Sequence, residues 1–84
     1  MLAAQMSAAS AGFTGQVAND VIQFINSASV DELTDIATNG VDQTKNYGTL
    51  TTPEQKQLLQ RMLTYQGGKY RTDLAAVAQY RKAT

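Results

Sequence analysis

The chain has 84 residues, a formal net charge of zero, no cysteine and no histidine. That length supports one small domain and only a modest buried core. The missing residue types exclude disulfide stapling, thiolate chemistry and imidazole as a general base or metal ligand.

The charge is unevenly spread. Residues 1–49 carry Asp20, Asp31, Glu32, Asp35 and Asp42 against Lys45, a balance of −4. Residues 50–84 carry Lys56, Arg61, Lys69, Arg71, Arg81 and Lys82 against Glu54 and Asp73, a balance of +4. Three arrangements satisfy this: the halves meet within one molecule, they are simply two solvated faces, or the acidic half of one copy meets the basic half of the next. A neutral, bipolar chain is weakly repelled by its own kind.

Residues 1–14 are rich in alanine and serine and carry no charge. Leu2, Met6, Ala9 and Phe13 fall on one helical face, so this stretch reads as a tail that orders on assembly. Ala supports a helix there and Ser7, Ser10 and Gly12 weaken it, so as an isolated peptide it is marginal. No basic leader and no sustained apolar run is visible, so no cleaved signal peptide and no membrane insertion are expected.

Residues 15–46 read as N-terminal helices. Val17, Val21, Phe24 and Ile25 share one face of a short amphipathic helix. Ser29 with Glu32 is a capping box, and the acids of that first turn suit the positive end of a helix dipole. Leu33, Ile36, Ala37 and Val41 continue its apolar stripe. Gly40 is one candidate end of this helix; the stripe through Val41 favours continuation to about Asn46, with Gly48 as a left-handed cap. Residues 47–52 are then the loop, short enough to make the flanking helices antiparallel neighbours.

A long C-terminal helix is expected over 53–82. Thr52, Pro53 and Gln55 mark its start. Leu59, Leu63, Tyr70, Leu74 and Val77 form its seam, with near-heptad steps. Gly67 and Gly68 interrupt the sequence but not the phase of the seam, which favours a continuous or merely bent helix. No segment alternates with period two, so the fold class is all-α: a helical hairpin with an extra N-terminal helical segment.

Nothing in the chain reads as an enzyme. Asp31 and Asp35 lie one turn apart, and surface acids at a helix N-terminus explain them. No serine has a histidine or lysine partner at a catalytic spacing. No phosphate-cradling glycine motif or calcium loop is present, so no cofactor or metal is expected. The basic, aromatic C-terminus lacks a recognition helix and net positive charge, so nucleic acid is not an expected partner.

Pro53-Glu54 at the opening of the second helix, followed by Gln60 and Tyr65, resembles the small subunits of bacterial type III secretion systems: needle, inner-rod and Hrp-pilus proteins. The resemblance covers roughly Thr52 to Tyr70 and the overall layout. It implies a subunit of a helical filament that forms a conduit for protein export. Self would be the main partner, with an export chaperone before secretion. The chain would then be cytoplasmic before export and secreted or at the bacterial surface afterwards. Leu59, Leu63, Tyr70, Leu74, Val77, Val21, Phe24, Leu33 and Ile36 would be assembly contacts. Gln60, Gln66, Lys69 and Arg71 would be candidates to face the lumen. The competing reading is a small soluble helical binding module, a chaperone or adaptor, that presents a groove to another helix.

Overall fold

The computed structural model describes Phe13 and residues 15–83. The tail expected over residues 1–14 therefore lies outside the described residues, apart from Phe13. The described chain is all-α, with helices α1 (Gln16–Ser27), α2 (Val30–Asn39), α3 (Pro53–Thr64) and α4 (Lys69–Ala83). A single 3₁₀ turn, Tyr65–Gly67, stands between α3 and α4.

Local chemistry sets the helix starts. Ser29 Oγ accepts the Glu32 N–H at 3.1 Å, and Glu32 Oε1 accepts the Ser29 N–H at 3.4 Å. Thr52 and Gln55 repeat the device at the head of α3, with Pro53 in the first turn. Each reciprocal pair satisfies two amide donors that a bare helix start leaves without partners.

Two expectations about helix ends need correction. The second helix stops at Asn39 and does not run on to Asn46. Gly40 takes φ 82°, which leaves the helix, and the Val41 N–H turns to Gln60 Oε1 at 2.9 Å. A Cβ at position 40 would lie 3.2 Å from that same oxygen, so glycine both turns the chain and makes room for the glutamine.

The long C-terminal helix is likewise two helices. Gln66, Gly67 and Gly68 have φ of 49°, 70° and 90°, a left-handed run that no α-helix contains. The seam keeps its phase because α3 and α4 both turn their apolar sides to one core, not because the backbone is continuous. Gly68→Ala should lower stability by about 1 kcal/mol, since the nearest atom a Cβ would meet is an ordinary contact and only left-handed strain remains. Gln66→Gly should shift a thermal melt the other way.

Packing pairs α1 with α3, α2 with α4, and α3 with α4. The expected neighbour relation between the helices flanking the loop is not the main pairing. The connection occupies residues 40–52, longer than the 47–52 predicted, and is itself part of the fold. Tyr47 and Leu50 are fully buried, and their backbones exchange hydrogen bonds of 3.0 and 2.8 Å. Tyr47 Oη accepts the Asp42 N–H at 3.0 Å. The Asp42 carboxylate accepts from both the hydroxyl and the N–H of Thr44, which holds its pKa below the ordinary 3.8.

Lys56, on α3, is buried beneath this connection. Its Nζ donates to the carbonyls of Gln43 at 3.0 Å and Lys45 at 3.2 Å. The loop therefore closes over α3 through side chains rather than through a ladder of its own.

A candidate docking groove between α2 and α4

Arg81 Nη1 donates to the Ala28 carbonyl at 2.6 Å, which places the last turn of α4 at the corner between α1 and α2. From there α4 runs back along α2, and the acidic part of the chain lies beside the basic part within one molecule. The ion pair between Lys45 and Asp35, at 3.8 Å, lies within the acidic half.

The two helices do not close completely. A groove of about 540 Å³ opens between them, with Asp31, Thr34, Asp35 and Thr38 on the α2 wall and Gln79 and Lys82 on the α4 wall. Val30 and Ala78 form its apolar base. Asp35 is engaged: it accepts from Asn39 Nδ2 at 2.8 Å and pairs with Lys45 at 3.8 Å. Asp31 and Lys82 are both exposed, on opposite walls, and form no ion pair with each other. The walls thus carry opposite charge that is left open to solvent. Among the described residues no group of three potential ligand side chains is positioned to hold a metal ion.

The nine residues offered as assembly contacts fall elsewhere. Val21, Phe24, Leu33, Ile36, Leu59, Leu63, Tyr70, Leu74 and Val77 are all buried in one core of a single copy. The four lumen candidates are scattered. Gln60 is half-buried and holds Val41, Gln66 sits exposed in the turn between α3 and α4, and Lys69 and Arg71 are exposed on α4.

Among the described residues two buried polar atoms lack a hydrogen-bond partner, Asn26 Oδ1 and Tyr70 Oη. Phe13 meets Tyr65 edge-on at 5.6 Å and Tyr70 at 6.2 Å between ring centroids. This is the preferred geometry for aromatic pairs. The Tyr70 hydroxyl is buried beneath them and has no hydrogen-bond partner among the described residues. Burial raises its pKa above the ordinary 10.0, and Asp73 and Tyr65 push it the same way. A raised folded pKa gives stability that is complete below the unfolded value and is lost as pH climbs through the folded one. Tyr70→Phe should therefore stabilise the chain by about 1 kcal/mol at neutral pH, because it removes a desolvated donor. It should also remove part of the alkaline loss. Urea melts at neutral pH and above 10.0 check both statements; a clear destabilisation at neutral pH would mean that the hydroxyl has a partner.

Sequence reasoning missed Lys56. The signal was there: stepping back three residues from Leu59, along the seam, lands on it. A lysine at a seam position reads as a break in the stripe unless something is known to cap its ammonium.

The fold and groove define a class: a small all-α unit with a closed apolar core and a polar cleft of mixed charge. No protein-family profile, curated protein or solved structure matches this chain. Among the described residues no helix is long and apolar enough to cross a membrane.

Proposed function

We propose that the chain is a small, non-catalytic helical interaction module, and that the α2–α4 groove is its binding face. The observation that carries this reading is where the apolar residues go. All nine residues offered as assembly contacts are buried within one copy, so the core needs no neighbour to complete it. Among the described residues the groove stays open, and the opposed charges of Asp31 and Lys82 remain available to a partner. Polar clefts with charge on both walls select partners more than they hold them tightly.

A second reading, a filament subunit of the type III secretion kind acting in protein export, draws support from the bipolar charge and the uncharged residues 1–14. On that reading folded copies would stack head to tail, with an export chaperone as a further partner. Light scattering and electron microscopy over a wide concentration range separate the two. The module predicts a discrete species that melts cooperatively. Fibres growing with concentration would overturn it in favour of the filament.

A further inference from the structure

We propose that the partner which fills the α2–α4 groove is a second copy of this chain, in a two-fold symmetric dimer; this rests on the module reading above. The argument starts from the placement of the two walls. They are adjacent, they run alongside each other, and they carry opposite charge: Asp31 on α2, Lys82 on α4. A two-fold axis passing through the groove sets α2 of one copy on α4 of the other, and α4 on α2. Every contact then occurs twice, as isologous symmetry requires.

The charges fit that operation. Among the described residues neither Asp31 nor Lys82 has an ion pair in its own copy. In the dimer Asp31 faces the Lys82 of the second copy, and the reciprocal pair forms at the same time. The α2 wall of the groove also carries Thr34 and Thr38, both exposed and both short. Short side chains let two helices come close without clashing. The net charge of zero leaves no long-range repulsion between copies. The interface closes on itself, so a third copy finds no free groove.

The test is sedimentation equilibrium of the full chain with four proteins: wild type, Lys82→Glu, Asp31→Lys and the double variant. Each single reversal should weaken dimerisation about tenfold, since it turns two reciprocal attractions into repulsions. The double variant should recover to within about threefold of wild type. Raising salt from about 0.05 to about 0.5 M should also weaken the wild-type dimer. Both side chains are exposed, so the variants should fold, and circular dichroism checks that they do. Carbodiimide coupling adds an independent readout: an intermolecular amide joining Asp31 to Lys82, located by mass spectrometry. A wild-type chain that stays monomeric throughout overturns the dimer and leaves the module reading standing. Filaments overturn both. A dimer indifferent to both single reversals overturns this interface.

Discussion

Phe24→Ala is expected to cost about 3–5 kcal/mol, the usual range for emptying a buried phenylalanine site. A chain of 84 residues has on the order of 4–12 kcal/mol of stability in all. The substitution should therefore consume much of that total. The reason lies in what the ring touches. Phe24 is 1% exposed, sits on the α1 face that packs against α3, and reaches Gly48 in the 40–52 connection. Its loss opens space at the junction of a helix pair and a loop, where no single element can collapse to fill it. Urea unfolding followed by helical circular dichroism checks the size of the effect. A loss under about 1 kcal/mol would show that the site relaxes freely and that the loop is not packed on α1 as described.

Lys56→Met is expected to be the next largest loss, about 2–3 kcal/mol. Methionine keeps most of the buried stem but removes the donors that satisfy the carbonyls of Gln43 and Lys45. A bond from a charged donor contributes about 1.5–3 kcal/mol, and each orphaned acceptor adds a desolvation cost. Against this stands the relief of no longer burying an ammonium, which is why the sum stays below that of two independent bonds. The distinguishing readout is local. Amide exchange should quicken across residues 41–50, and proteolysis should begin there, while α2 and α4 keep their protection. If loop and helices lose protection together, the lysine supports the whole fold rather than clamping one segment.

The helix starts were legible because capping is local chemistry. Ser29 with Glu32 and Thr52 with Gln55 act over three residues and need no tertiary partner. The core was legible for a similar reason: an apolar stripe at helical spacing must be covered by something. What covers it was not legible. A stripe has the same pattern whether its cover is another copy or another part of the same chain, and burial within one copy answers that question only in three dimensions.

The helix ends were harder. At Gly40 the deciding contact is Gln60, on another helix, so the stripe through Val41 carried no warning. At Gly67 and Gly68 the glycines were visible, but a preserved seam phase is compatible with both a continuous helix and two helices on one core. The groove was legible only as charge segregation between halves. Its existence depends on α4 returning along α2, which the Arg81 to Ala28 contact anchors and no local rule predicts.

The order of pairing has a consequence for how the polypeptide acquires its shape. First meets third and second meets fourth, so the partners interleave along the chain instead of nesting. A nascent chain emerging from the ribosome can bring α1 to α3 once Thr64 is made, yet α2 remains uncovered until α4 follows. Truncation before Lys69 should thus leave a sticky, incompletely ordered product. On this pairing, burial of the α2 stripe waits for α4, Lys69–Ala83, to be made.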